Sequence, residues 1–88
     1  MIKNLYNLRI KKLNLPEYNL IKITLTDDSQ YTANLNSEFS KLFCYPKDLK
    51  EWKDAHINEG SFAIEWTCGF DIHFDQIIAI ADDQKMTA

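Results

Sequence analysis

The strongest constraint on the fold is an alternation of apolar and polar side chains over residues 20–26, which is strict from Ile21 onward. Its apolar positions are Ile21, Ile23 and Leu25. Such alternation predicts a β-strand with one buried face. Alternation resumes over residues 31–35, with Tyr31, Ala33 and Leu35 facing inward, after the polar break Asp27–Gln30. The two runs therefore predict a β-hairpin. Because the break contains no glycine, an aspartate or a longer loop must supply any left-handed turn position.

Further strands are predicted on either side of this hairpin. Residues 8–15 interleave basic and apolar side chains in an imperfect alternation, which predicts a first strand, and residues 16–19 read as the turn after it. Residues 62–66 and 70–74 alternate again and flank Thr67-Cys68-Gly69, which predicts a second hairpin.

Helical spacing replaces alternation in three places. Asn36–Glu38 can cap a short helix carrying Phe39, Leu42 and Phe43, and Pro46 suits the first turn of a helix over Lys47–Ala55. Asp75 can N-cap a final helical turn over residues 76–80. The predicted class is α+β: an antiparallel sheet built from two hairpins plus an N-terminal strand, with short helices between the hairpins and at the C-terminus. We expect a single domain over residues 1–88, with a core at about 8–81 and a flexible tail at 82–88.

Length and composition fit one small soluble domain. A chain of 88 residues with 45% hydrophobic and 26% charged residues is neither disordered nor low-complexity, and no apolar run approaches the ~18 residues of a membrane helix. Met1–Asn7 lacks the apolar stretch of a signal peptide, and two cysteines are too few for a disulfide framework. We therefore predict a cytoplasmic location and no membrane association.

The net charge of −3 is unevenly distributed along the chain. Residues 1–26 carry five positive charges and one acid, a net +4, whereas residues 27–88 carry twelve acids and five lysines, a net −7. Residues 54–83 contain seven acids and neither lysine nor arginine. This pattern argues against direct nucleic-acid binding. It fits a bipolar partner surface or, as the simpler interpretation, plain solvation or internal pairing of the basic first strand with acidic neighbours.

The best local candidate for chemistry is Asp71-Ile72-His73-Phe74-Asp75. On a strand, Asp71, His73 and Asp75 would project from one face. Two carboxylates beside an imidazole could bind a divalent metal or position a proton shuttle, and Cys68 could add a soft ligand. A solvated strand face explains the same pattern, and we predict neither a metal nor a cofactor.

Other reactive side chains have structural interpretations. Cys44 is expected to be a buried thiol, and His56 a cap or surface residue one helical turn after Trp52. Tyr31, Phe62 and Trp66 could form a base-stacking platform, but core packing suits their positions better. The sequence has no phosphate-binding glycine motif or zinc-protease motif, so no catalytic residues are assigned and a non-enzymatic protein is predicted.

One stretch carries a family resemblance. Ile64-Glu65-Trp66-Thr67-Cys68-Gly69-Phe70-Asp71-Ile72, followed by Asp75 and Ile77, resembles the I-x-W-x-x-G-x-D-[IL] motif of the bacterial domain-of-unknown-function family 2442. The resemblance spans about residues 8–78. Family members often have Pro-Asn where this chain has Thr67-Cys68, and Gly where it has Ser29. In the motif we expect Trp66 to fill the core, Gly69 to permit a tight turn, and Asp71 to accept backbone hydrogen bonds there.

The resemblance implies an α+β domain without established catalysis. Family members occur alone, fused to helix-turn-helix domains, or encoded beside another small protein in a toxin–antitoxin-like pairing. We therefore expect a non-enzymatic interaction or regulatory module that binds a protein partner, such as the antitoxin-like half of a pair. The alternatives are a small metal-dependent or acid–base enzyme using Asp71, His73 and Asp75, and an acidic inhibitor whose segment 54–83 imitates nucleic-acid charge. Exposed hairpin edges would also allow a homodimer by strand pairing.

Overall fold

The computed structural model describes residues 7–39 and 44–86. Within these ranges, three strands are followed by two short helices, three further strands and a C-terminal helix. They are β1 (Ile10–Glu17), β2 (Leu20–Leu25), β3 (Gln30–Asn34), α1 (Asn36–Phe39), α2 (Leu49–Trp52), β4 (Ala55–Ile57), β5 (Ala63–Trp66), β6 (Asp71–His73) and α3 (Phe74–Met86). The α+β class is confirmed, but the strands form two antiparallel sheets instead of one. Sheet 1 has the order β1-β2-β3, and sheet 2 has the order β4-β5-β6.

Sheet 1 contains the hairpin that the alternation predicts. Its central strand β2 buries Ile21, Ile23 and Leu25 completely, at 0% exposure. The turn from β2 to β3 places Asp28 at φ 68°, so an aspartate supplies the left-handed position in the absence of glycine. Asp27 steadies this turn because its Oδ1 accepts a hydrogen bond from the backbone N–H of Ser29 at 3.1 Å.

A β-bulge explains why the alternation in β1 is imperfect. The register changes between the pairs Ile10↔Leu25 and Lys12↔Thr24, so Lys11 is an extra residue that shifts the phase of the strand. The apolar side chains before and after it can therefore both contact the core. A second register shift contains Pro16, which was predicted as a turn residue but lies within this edge strand. The missing N–H of proline is tolerated at an edge or bulge.

The first turn is consequently shorter than the sequence suggested. Only Tyr18 and Asn19 join β1 to β2, and Asn19 takes the left-handed conformation at φ 71°. Asparagine is one of the few residues other than glycine that adopts it readily.

The predicted helix over Lys47–Ala55 is wrong at both ends. Helix α2 covers only Leu49–Trp52, and its N-cap is Asp48, whose Oδ1 accepts from the Glu51 N–H at 2.8 Å. Ala55 instead begins β4, which pairs with β5 through Ala55↔Trp66, His56↔Glu65 and Ile57↔Ile64. The local sequence does not reveal β4, because its stabilising hydrogen bonds come from a strand further along the chain.

The helix α1 begins where the capping residues predicted, at Asn36. It is described as far as Phe39. The predicted positions of Leu42 and Phe43 lie outside the described residues.

The C-terminal helix is longer than the single turn expected from the sequence. Helix α3 starts at Phe74, so Asp75 lies inside the first turn and is not the N-cap. The backbone N–H of His73 donates to Oε1 of Gln76 at 3.0 Å, as in a capping box. The residues 82–86, predicted as a tail, are helical. The side chain of Gln84 holds them against sheet 1 through two hydrogen bonds to the backbone of Asn34. Its Oε1 accepts from the Asn34 N–H at 2.9 Å, and its Nε2 donates to the Asn34 carbonyl at 2.8 Å.

Aromatic side chains pack α1 and α2 against sheet 2 in the core. The rings of Trp52 and Trp66 stack with centroids 5.1 Å apart, and the Trp66 Nε1–H donates to the Trp52 carbonyl at 2.8 Å. Phe70 lies against Trp66 at 5.0 Å and edge-on to Phe39 at 5.3 Å. The predicted core role of Trp66 is therefore confirmed. None of the helices among the described residues is long and apolar enough to cross a membrane.

Candidate functional site: the outer faces of the two sheets

The strand register assembles a row of charged side chains on the outer face of sheet 2. His56 pairs with Glu65, and Glu65 pairs with Asp71, so the three residues lie side by side across β4, β5 and β6. His73 lies on the same face two residues further along β6, opposite Ala63. All four alternate with apolar residues that face the core. We call His56, Glu65, Asp71 and His73 the acidic face.

This face differs from the constellation predicted from the sequence. Asp71 and His73 are exposed and share a face as expected, but Asp75 is separated from them because β6 ends at His73 and the chain becomes helical. The period of two that would have aligned Asp75 no longer applies in a helix. Among residues 7–39 and 44–86, no group of three histidine, cysteine or acidic side chains is placed to hold a metal ion.

The contacts within the acidic face are those of an exposed surface. His56 Nε2 lies 3.2 Å from Glu65 Oε1, and both side chains are largely exposed. Glu65 and Asp71 carry like charges at directly opposed positions, which destabilises a sheet slightly. The sequence placed Glu65 on a polar strand face, but its two neighbours became evident only once the cross-strand register was known.

Asp71 does not have the turn-stabilising role expected of it. The turn is closed by backbone groups, with the Gly69 N–H donating to Trp66 at 3.0 Å and the Trp66 N–H donating to Phe70 at 2.9 Å. The described residues supply no hydrogen bond to the Asp71 carboxylate, which faces solvent. Gly69 does have its predicted role, because its φ of 103° is a conformation that favours glycine.

The outer face of sheet 1 has the opposite charge. Its register forms two rows across the three strands, Lys12–Thr24–Gln30 and Asn14–Lys22–Thr32. A shallow groove of about 140 Å³ lies on this face. It is lined by Lys12, Leu13, Asn14, Lys22, Thr24 and Gln30. We call these six residues the lysine groove.

The two lysines of this groove have no acidic partner among the described residues. Lys11, their neighbour on β1, does have one, because its Nζ lies 2.7 Å from Asp28 Oδ1. Glu17 occupies the next row of the face, paired with Leu20, and makes no ion pair with Lys22. Internal pairing of the basic first strand therefore accounts for Lys11 but leaves Lys12 and Lys22 uncompensated.

The remaining candidates do not come together as a site. Cys44, expected to be buried, is exposed, as is Cys68. Tyr31 belongs to sheet 1, whereas Trp66 is buried in sheet 2, so the aromatic platform does not form. Phe62 is 39% exposed and lies edge-on to His73, with the ring centroids 5.2 Å apart.

One tyrosine has a perturbed acidity. Burial raises the pKa of Tyr18, and the nearby Tyr45, Asp48 and Glu51 raise it further because their negative charges oppose a phenolate. The neutral hydroxyl donates a hydrogen bond to the Pro46 carbonyl at 2.7 Å. This contact ties the first turn of sheet 1 to the segment that leads into α2, away from both outer faces.

No protein-family model, curated protein or solved structure shows significant similarity to this chain. The resemblance to family 2442 therefore stays a prediction that rests on the motif around Trp66 and Gly69.

Proposed function

We propose that this chain is a non-enzymatic interaction module that binds a protein partner, in a regulatory role such as the antitoxin-like half of a pair. The observation that carries the proposal is the opposite charge of the two outer sheet faces. One face presents Lys12 and Lys22, and the other presents Glu65 and Asp71. Complementary charge on an open surface steers a partner and fixes its orientation.

The shape of these faces also favours recognition over catalysis. Enzyme sites are usually concave and exclude water, which strengthens their electrostatic interactions with the reacting groups. The acidic face is exposed at His56, Asp71 and His73 and half-buried at Glu65, and the lysine groove is shallow. The alternative of an enzyme using Asp71, His73 and Asp75 also loses the shared strand face on which it was based.

The proposal is tested by identifying and rebuilding the complex. The tagged chain is expressed in its native host and cross-linked to its neighbours. Its partners are then identified by mass spectrometry. A candidate is then purified separately and mixed with the chain, and the mass of the complex is measured by light scattering. We expect a complex of defined stoichiometry that weakens as salt is added, because surface charges contribute to it.

Three results would contradict the proposal or redirect it. A chain that stays monomeric with every candidate contradicts partner binding. Loss of cellular function in His73→Ala, with the complex intact, would favour the enzyme alternative. A nucleic-acid-binding partner that DNA displaces from the chain would identify the acidic inhibitor, with the acidic face as the mimic.

A further inference from the structure

We infer that the lysine groove on sheet 1 is the docking site for the protein partner, and that its occupant is an acidic segment of that partner. The inference rests on the proposed function and specifies the surface and the chemistry of the ligand. Three features of the molecule support it: the placement of two uncompensated cations, the groups between them, and the charge of the rest of the chain.

The two lysines lie close enough to act together. Lys12 pairs with Thr24, and Lys22 pairs with Asn14, so the two lysines occupy diagonal positions on adjacent strands. Diagonal neighbours in an antiparallel pair have Cα atoms about 7–8 Å apart, within reach of two long side chains. The positive charges of Lys12 and Lys22 repel each other in the free protein, because no acidic side chain in the described part of the chain neutralises them. A bound carboxylate would relieve this repulsion.

The groups between the lysines suit a carboxylate. Asn14 and Thr24 occupy the other diagonal, are shorter than lysine, and line the groove together with both lysines. The Asn14 amide, the Thr24 hydroxyl and the neighbouring Gln30 amide can all donate hydrogen bonds. Lys22 and Thr24 are half-buried in the middle of the sheet, where partial exclusion of water strengthens a charge-assisted hydrogen bond.

The charge distribution favours an acidic protein segment over a nucleic acid. A duplex carries about one negative charge per 1.7 Å and is bound by extended basic surfaces. The lysine groove offers two cations, and the chain as a whole has a net charge of −3. The acids of the acidic face would repel a long polyanion, whereas a short acidic segment needs only the groove.

A second copy of the chain is a less suitable occupant. Its acidic face would have to contact the lysine groove of the first copy. The acidic face and the lysine groove are different surfaces, so the contact would be head-to-tail and would leave one of each unoccupied. Such contacts build open chains instead of closed dimers unless the rotation closes a ring. A distinct partner satisfies the groove without that consequence.

The experiment uses a fluorescein-labelled peptide that alternates glutamate and threonine over ten residues, titrated into the full-length chain. A peptide with lysine in place of glutamate reports non-specific binding. The test variant is Lys12→Glu/Lys22→Glu. The matched control is Lys50→Glu/Lys53→Glu, which makes the same change in net charge at two exposed lysines near α2. We expect the acidic peptide to bind the wild type and the control within about twofold, and the test variant at least about tenfold more weakly.

Chemical-shift mapping on the wild-type chain keeps the inference testable even if the variant folds poorly. The acidic peptide should shift the backbone amide signals of Lys12, Lys22 and Thr24. Shifts confined to sheet 2, or no peptide binding at millimolar concentration, would overturn the inference. Equal loss of binding in the test variant and the control would show an effect of net charge alone and would also overturn it.

The other occupants are tested in the same series. If single-stranded DNA binds the wild type as tightly as the acidic peptide and only the test variant loses it, the groove is a nucleic-acid site. If sedimentation shows self-association that only the test variant loses, the occupant is a second copy. Either result would overturn the inference that the groove binds an acidic segment of a partner.

Failure of this inference can be told apart from failure of the proposed function. A partner complex that forms equally well with Lys12→Glu/Lys22→Glu would move the docking site elsewhere and leave partner binding intact. A wild-type chain that forms no complex with any partner would instead contradict the proposed function itself.

Discussion

The two sheets are stabilised in different ways. Sheet 1 has strands of eight, six and five residues, and adjacent segments of chain form all of its pairings. Sheet 2 has strands of three, four and three residues, too short to be stable without tertiary support. Its support comes from Trp66, which stacks on Trp52 and donates to its carbonyl. Sheet 1 therefore follows from the pattern of its own strands, and sheet 2 depends on packing against a residue outside its strands.

The outer faces show a related contrast. Sheet 1 presents uncompensated lysines around a groove, whereas sheet 2 places two carboxylates opposite each other beside His56. Glu65 and Asp71 are directly opposed like charges on sheet 2, and Lys12 and Lys22 are diagonal like charges on sheet 1, so neither pair is expected to stabilise the free fold. Positions that lower stability without a local benefit are expected where a surface serves recognition.

The largest predicted effect is on the support of sheet 2. Trp66→Ala removes the stacked ring and the hydrogen bond to Trp52, and should lower the free energy of unfolding by about 3–5 kcal/mol, measured by urea denaturation. Ile21→Val in sheet 1 is the comparison and should cost about 0.5–1.5 kcal/mol. In Trp66→Ala the amides of β4–β6 should exchange with solvent faster than those of β1–β3. Equal acceleration in both sheets would mean that they open as one unit.

Substitutions in the turns of the two sheets should change stability by different amounts. Gly69→Ala forces a Cβ into φ 103°, where it meets no atom within 4 Å, so the cost comes from the backbone conformation alone. We expect a loss of about 1–2 kcal/mol in thermal or urea unfolding. Asp28→Gly in sheet 1 relieves a left-handed residue but loses an exposed ion pair, and should change stability by less than about 0.5 kcal/mol. A neutral Gly69→Ala would show that the turn can relax to another conformation.

Tyr18 tests the connection between sheet 1 and α2. Tyr18→Phe leaves the Pro46 carbonyl without its donor and should cost about 1 kcal/mol near pH 7. Because the pKa of Tyr18 is raised in the fold above its ordinary value of 10.0, its contribution is present below pH 10 and is lost as the pH rises through the folded-state pKa. The stability difference between wild type and variant should therefore shrink from pH 8 to pH 11. A constant difference would contradict the role of the neutral hydroxyl.

The smallest predicted effects separate two residues that the sequence had grouped together. Asp71→Asn removes a like charge opposite Glu65 and should stabilise the protein by about 0.2–1 kcal/mol. Asp75→Asn removes a carboxylate from the first turn of α3, where the helix dipole favours it, and should destabilise by about 0.3–1 kcal/mol. Thermal unfolding at low salt measures both. Changes of the same sign would mean that the two carboxylates share one environment after all.

Much of sheet 1 could be predicted because its determinants are local. Alternation located β2 and β3. The lack of glycine predicted either a left-handed aspartate or a longer loop at the turn, and Asp28 takes the left-handed conformation. The β1 bulge and β4 were missed for a common reason. A one-residue phase shift and a three-residue strand leave almost no periodic signal, and both are defined by their partners. The length of α3 was missed because its last turn is held by Gln84 binding the backbone of Asn34.

The candidate site was predictable only in part. The sequence identified Asp71 and His73 as exposed neighbours, but it added Asp75 by extending the strand too far. Glu65 and His56 could not be placed beside Asp71, since cross-strand neighbours require the register. The lysine groove was missed as a site for the same reason, although the basic character of the first 26 residues was evident.

The sequence by itself determined the class of fold, the apolar face of each main strand and the separation of basic from acidic segments. Each of these depends only on the order of residues within short stretches of the chain. Tertiary structure decided that the strands form two sheets, that Trp66 of sheet 2 packs on Trp52 of α2, and which charges meet on each outer face. The register between paired strands sets which charges meet, and the free energy that selects a register comes from burying the inner faces of the sheets. The opposite charges of the two outer faces are a consequence of that register.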